Sequence, residues 1–141
     1  MKAKTFFIGF FAVVAVLAAV SLYLSLTVDR AEKSIGSVAA PDGKYKAVKI
    51  TLSGEGPPPF CIDGIAVILG VYPDNFAERD KAYLVYSGPC AADRKAWPKI
   101  EWKSNTDLQI TYEKQSAAAK SPTIKDLDVT KTVHVTFAAK D

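Results

Sequence analysis

The chain has 141 residues, 49% of them hydrophobic, and 18 Lys and Arg against 15 Asp and Glu give a formal net charge of +3. Lys2 and Lys4 precede a long uncharged stretch, and the rest of the chain carries only +1. This near-balance gives no electrostatic reason to expect nucleic acid as a partner. One histidine and two cysteines leave most metal and nucleotide chemistries without their usual ligands, so we expect no metal and no cofactor.

An apolar segment near the N-terminus predicts a membrane-spanning helix. Residues 5–28 contain no charged side chain and are mostly Phe, Val, Ala, Leu and Ile. About 20 apolar residues suffice to cross roughly 30 Å of hydrocarbon. The alternative is a cleaved signal peptide with a cleavage site near residues 16–18, but the apolar run continues to Leu26, beyond the usual signal length. We therefore predict that residues 1–28 are an uncleaved membrane anchor.

The cysteines, more than the charges, indicate on which side of the membrane the domain lies. Lys and Arg flank both ends of the apolar segment, so their distribution does not fix the orientation. Two cysteines in a small domain are typical of a disulfide, which needs an oxidising compartment. We expect a single-pass protein of the inner (cytoplasmic) membrane, with its C-terminal domain in the periplasm or extracytoplasmic space.

The remainder of the chain is predicted to be a tether followed by a β-domain. Residues 29–43 lack large apolar side chains and contain Gly36, Pro41 and Gly43, so they predict a tether that ends in a Pro-Asp-Gly turn. Residues 44–141 are the predicted extracytoplasmic domain. Six segments have the alternation or apolar content of strands: 45–52, 64–72, 82–87, 99–103, 108–113 and 131–138. With almost no helical period, they predict an all-β antiparallel domain, either a sheet curled on itself or a small sandwich.

The positions of Cys61 and Cys90 favour a disulfide between them. If the strands at 64–72 and 82–87 form a hairpin centred near residue 76, paired positions sum to about 152. Cys61 and Cys90 sum to 151, so they would lie opposite each other beyond the open end of the hairpin. Closing a loop of about 30 residues would stabilise the domain by roughly 3–4 kcal/mol. A reactive thiol or metal site is disfavoured because neither cysteine has a basic or metal-ligating neighbour.

The candidate catalytic groups do not form a recognisable set, so we predict a protein that is not an enzyme. His134 alternates with Val133 and Val135, which places it on the solvent side of its strand. No Gly-x-Ser-x-Gly elbow accompanies it. Several carboxylates lie in the predicted loops around the second and third strands, and we expect them to be ordinary solvent-exposed charges. They are Asp63, Asp74, Glu78, Asp80 and Asp93.

Three aromatic residues lie in or beside predicted loops and are candidates for a protein contact. They are Phe60, Phe76 and Trp97. Exposed aromatics can anchor a protein interface. The alternative is that they cap the ends of a small core.

Two motifs resemble a group of small bacterial envelope proteins of unknown function. The turn at residues 40–45 (APDGKY) and the hairpin formed by 100–102 (IEW) and 108–112 (LQITY) carry the likeness. Members of the group have an N-terminal membrane segment, a Ser-Pro-Asp-Gly-Lys turn, a cysteine pair and an Ile-x-Trp-x-Ser hairpin. Ala40 replaces the usual serine here. The resemblance implies no catalytic residues.

These observations lead to one functional hypothesis and two alternatives. The first is a non-catalytic, membrane-anchored envelope protein that binds another protein or supports an assembly. The second is a periplasmic inhibitor or immunity protein that blocks an enzyme with a loop such as 73–81. The third is a small hydrolase that uses loop carboxylates or His134.

Overall fold

An N-terminal helix precedes eight strands arranged in two sheets. The computed structural model describes residues 2–27, 32–56, 58–114 and 121–140. The elements are α1 (Lys2–Thr27), β1 (Glu32–Ala39), β2 (Tyr45–Gly54), β3 (Phe60–Leu69), β4 (Leu84–Pro89), β5 (Lys99–Trp102), β6 (Asp107–Glu113), β7 (Thr123–Ile124) and β8 (His134–Lys140). Two short 3₁₀ turns, Asp74–Glu78 and Lys81–Tyr83, join β3 to β4. The predicted fold class, an apolar helix followed by a mainly antiparallel β-domain, is confirmed.

Helix α1 is long and apolar enough to cross a membrane. Its apolar part, Lys4–Leu24, has a mean hydropathy of 2.5, and none of that window is buried against the rest of the chain. A helix that exposes Phe, Leu and Val on every side is unfavourable in water, because transfer of each such side chain out of water lowers the free energy. By length and composition, the segment fits either a membrane span or a signal sequence. Val28, the predicted end of the anchor, lies outside the described residues.

The larger sheet has five strands in the order β1-β2-β3-β4-β7, and all its neighbouring pairs are antiparallel. Strand β2 occupies the predicted segment 45–52 and extends to Gly54. Strand β3 begins earlier than predicted, at Phe60, and stops at Leu69. It stops there because the chain turns, with the Tyr72 N–H donating to the Leu69 carbonyl at 3.1 Å. In this order, β2, β3 and β4 each pair with a neighbour on both edges.

Strand β1 corrects the predicted tether. Residues 32–39, which fall within the predicted 29–43 tether, pair with β2 along their whole length, from Glu32 opposite Ser53 to Ala39 opposite Lys46. An edge strand is held by backbone hydrogen bonds and needs no run of apolar side chains. Seven of its eight residues are exposed, which is why the composition resembles a linker. Residues 29–31 lie outside the described residues.

The smaller sheet has three strands in the order β5-β6-β8. The predicted hairpin is confirmed, since β5 and β6 are antiparallel, with Ile100 opposite Ile110. Strand β8 runs parallel to β6 and begins at His134, later than the predicted residue 131. It begins later because the buried Asp128 carboxylate holds the preceding residues in a turn, accepting hydrogen bonds from the backbone N–H groups of Thr130, Thr132 and Val133.

Two apolar cores lie on opposite faces of the five-stranded sheet. The first lies between the two sheets, and its fully buried side chains include Ile65, Val67, Val85, Leu108, Ile110 and Val133. The second is covered by the 3₁₀ turns between β3 and β4. It contains Val48, Ile50, Ala66, Ile68 and Ala77. The domain therefore has three layers, with the five-stranded sheet in the middle.

Candidate functional site

The predicted disulfide is present, and it closes the open end of the β3–β4 hairpin. Cys61 is bonded to Cys90, with the two Cα atoms 5.4 Å apart. The neighbouring pairs Ile62–Pro89 and Ile65–Tyr86 have the register expected from the sequence, because their numbers also sum to 151. The Cys90 N–H donates to the Cys61 carbonyl at 3.2 Å, so the bridge continues the strand pairing by one step.

Phe76 caps the second core. Its ring stacks on Tyr72 with centroids 4.2 Å apart and lies 5.3 Å from the Tyr83 ring. The Arg79 guanidinium lies 5.0 Å from the ring centroid on its outer side. These contacts place Phe76 on the face of the five-stranded sheet that is turned away from the smaller sheet.

A groove runs between β1 and the segment 94–100, on the opposite face. Three hollows of about 600, 410 and 360 Å³ form it, and Glu32, Lys49, Arg94 and Lys95 each line two of them. We call this surface the β1 groove. It brings together β1 and the segment that follows the disulfide, which no sequence pattern predicts to be neighbours.

The floor of the β1 groove consists of small side chains. Ser34 and Gly36 of β1 lie beside Thr51 and Ser53 of β2. A Cβ atom built on Gly36 would find no other atom within 4 Å. The floor therefore leaves room for another chain to approach the sheet closely.

The two other candidate aromatics are placed differently with respect to this groove. Phe60 lines its first hollow and is 46% exposed. Trp97 is half-buried and is not among the groove-lining residues. Its carbonyl accepts a hydrogen bond from Lys49 at 3.2 Å, and the Lys140 ammonium lies 5.2 Å from its ring centroid. Trp97 thus supports the groove wall, and only Phe60 is available for contact inside the groove.

Basic groups predominate along the groove. The Lys49 ammonium donates to the carbonyl oxygens of Arg94, at 3.1 Å, and Trp97, which fastens the wall to the sheet without neutralising the lysine charge. Arg94 and Lys95 make no ion pair within the described residues. The acidic lining residues, Glu32 and Glu55, lie at the end nearest Phe60. The opposite end, around Gly36 and Val38, is lined by Lys49, Lys95 and Lys99.

Asp63 is a buried strand residue rather than the solvated loop carboxylate that its position predicts. It lies in β3, is only 1% exposed, and accepts a hydrogen bond on Oδ1 from the Thr51 hydroxyl at 2.6 Å. Its Oδ2 has no hydrogen-bond partner in the described part of the chain. Burial and then the Asp63 charge raise the pKa of the Tyr86 hydroxyl to about 12. Both effects oppose ionisation of the tyrosine hydroxyl at high pH.

The other candidate catalytic groups are dispersed. His134 is exposed at the start of β8 and lies opposite Asp107. Asp74 pairs with Lys46 at 2.7 Å, and the hydrogen bond from Lys46 holds the pKa of the Asp74 carboxyl below its usual range. Within residues 2–27, 32–56, 58–114 and 121–140, no three His, Cys, Asp or Glu side chains converge as a metal site would require.

The sequence patterns do not reveal the open edge of β1. The one signal that could have revealed the strand is the turn at 40–43, closed by a 2.8 Å hydrogen bond from the Gly43 N–H to the Ala40 carbonyl, with Gly43 at φ +72°. A tight turn that leads into a strand indicates a hairpin, and hence a preceding strand.

Comparisons with known proteins do not assign the chain: no family model, no curated protein and no solved structure matches it. The resemblance to small envelope proteins rests on the sequence motifs and stays a prediction.

Proposed function

We propose that this protein is a single-pass membrane protein that holds its β-domain outside the cytoplasm, in a bacterial envelope, and binds another protein there without catalysis. The β1 groove is the observation that carries the proposal. It combines an open strand edge, a floor of small residues and basic side chains, Lys49, Arg94 and Lys95, that form no ion pair in the described part of the chain.

The helix and the disulfide support the proposed location. Helix α1 has the length and hydropathy of a membrane span. A structural disulfide such as Cys61–Cys90 persists in oxidising compartments and is rare in the cytosol. Together, they favour a cytoplasmic N-terminus and a periplasmic domain.

The short connection between helix and sheet keeps the groove near the bilayer. Four residues lie between the end of α1 at Thr27 and Glu32, which lines the groove. The five Cα–Cα steps from Thr27 to Glu32 span at most about 18 Å. We therefore expect the partner to be a membrane protein or a protein that works at the membrane surface.

The groove is a better contact surface than the loop through which an inhibitor would act. Within residues 73–81, Asp74 and Glu78 are paired with Lys46 and Lys33, at 2.7 and 2.8 Å, and Ala77 is buried. This segment covers a core, so presenting it to an enzyme cleft would expose that core to water.

The proposal can be tested by site-specific photo-crosslinking of the full-length protein in membranes. A photo-reactive residue replaces Ser34, on the groove floor, or as a control Val71, which is 86% exposed outside the groove. We expect one discrete protein adduct from position 34, none from position 71, and loss of the adduct when Gly36→Trp fills the floor. Absence of an adduct at position 34, or the same adducts at both positions, would contradict the proposal.

A further inference from the structure

We propose that the β1 groove takes an extended acidic polypeptide segment, which adds as a strand to the open edge of β1 and places its acidic side chains against the basic end of the groove. This inference rests on the proposed function and specifies the binding mode and the chemistry of the partner.

The backbone of β1 presents unpaired hydrogen-bonding groups along its outer edge. The Ala40 N–H donates to the Tyr45 carbonyl at 2.9 Å, which fixes the alternation of the β1–β2 ladder. The peptide groups of even-numbered β1 residues therefore point toward β2, and those of Lys33, Ile35 and Ser37 point away from it. In the described part of the chain, β1 pairs with no strand other than β2.

This edge lacks the features that usually prevent strand addition. Proteins protect edges with prolines, bulges, very short strands or unpaired inward-facing charges. Strand β1 has eight residues in unbroken register and contains no proline. Its one lysine, Lys33, borders the second hollow, and its charge is already paired with Glu78 at 2.8 Å. The Val38 carbonyl, which points toward β2 in this alternation, also accepts a hydrogen bond from the Trp102 indole at 2.9 Å, so this bond does not occupy the outer edge.

The charges of the groove determine which segment fits. Side chains of an added strand alternate between the two faces of the sheet, so every second one lies beside Ser34 and Gly36, on the groove side. Around Gly36, the lining charges are Lys49, Lys95 and Lys99. A carboxylate at this position would meet cations that no ion pair in the described chain satisfies.

The same charges disfavour a second copy of this chain as the occupant. Two copies paired through β1 would bring two basic walls together, with Arg94 and Lys95 on each. The β1 sequence itself supplies one acidic side chain, Glu32, at the end away from Gly36. An acidic extended segment of another protein matches the surface better.

The test uses the full chain in phospholipid nanodiscs, a random 12-residue peptide library displayed on phage, and the selected peptides as synthetic fluorescent probes. Ser37→Pro removes an outward N–H and leaves the β1–β2 hydrogen bonds in place, and Ser37→Ala is its matched control because both lose the hydroxyl. Lys95→Glu reverses one exposed charge of the wall.

We expect the selected peptides to be rich in Asp and Glu at alternate positions, with binding that weakens as salt rises. Ser37→Pro and Lys95→Glu each lower probe affinity about tenfold or more, and Ser37→Ala changes it less than about twofold. Peptides without an acidic preference, no enrichment over empty nanodiscs, equal affinity of the Pro and Ala variants, or self-association in place of peptide binding would each overturn the inference. If no acidic peptide binds but photo-crosslinking at position 34 still gives a discrete adduct, the proposed function stands and only the binding mode is wrong. Peptide binding without a cellular adduct removes the function but keeps the binding mode.

Discussion

Removal of the disulfide gives the sharpest test of what stabilises the domain. In the Cys61→Ala/Cys90→Ala variant, the unfolded chain regains the freedom of a loop whose ends are 29 residues apart. The chain-entropy relation gives a loss of about 3–4 kcal/mol for a loop of this length. A small domain is stable by only about 5–15 kcal/mol, so the loss is a large fraction of the total.

The measurement is urea unfolding of the full-length protein in nanodiscs, followed by the fluorescence of its two tryptophans. With a slope of about 1.5–2 kcal/mol per M, the variant should unfold at a urea concentration about 2 M lower than the wild type. A reductant should shift the wild type by the same amount and leave the variant unchanged. A variant midpoint within about 0.5 M of the wild type would refute the assignment of this stability to the bridge.

Three further predictions concern the cores and the close contacts. Ile110→Ala, at a fully buried position between the sheets, should destabilise the domain by about 2–5 kcal/mol, whereas Ile62→Ala at a 47% exposed position should cost far less; similar urea midpoints would contradict the layer assignment. Tyr86→Phe should remove one tyrosine transition near pH 12 from the ultraviolet titration. Because the folded state favours the neutral hydroxyl, the free energy of unfolding of the wild type should decrease as the pH rises from about 10 to about 12. If the variant instead loses a transition near pH 10, the burial argument is wrong. Gly70→Ala would place a Cβ atom against the backbone oxygen of Gly43 and should destabilise the domain by about 1–3 kcal/mol. Gly36→Ala, with open space around it, should change the stability little. Equal urea midpoints for the two variants would contradict the predicted clash.

The sequence predicted those elements whose side chains alternate or whose turns are characteristic. Strand β2, the β5–β6 hairpin and the register that pairs Cys61 with Cys90 follow from local patterns, because each of these features depends on neighbours close in the chain. The exposed side of β8 was also predicted, with His134 outside and Val135 buried.

The remaining features depend on contacts distant in the sequence. Strand β1 is held by pairing with β2 and has almost no buried side chain, so hydrophobicity does not reveal it. The parallel pairing of β8 with β6 is set by the packing of the two sheets. The groove could not be predicted either, since it joins β1 to the segment 94–100, and Lys49 fixes that segment through two backbone carbonyl groups.

Thiol labelling in intact cells tests most directly the claim that an apolar helix holds a disulfide-bonded domain outside the cytoplasm. A membrane-impermeant maleimide is added to cells whose outer membrane is permeabilised, with and without prior reductant. We expect labelling of Cys61 and Cys90 only after reduction, in cells whose inner membrane is intact. Labelling that requires lysis of the inner membrane, with no need for reductant, would contradict both the location and the bridge.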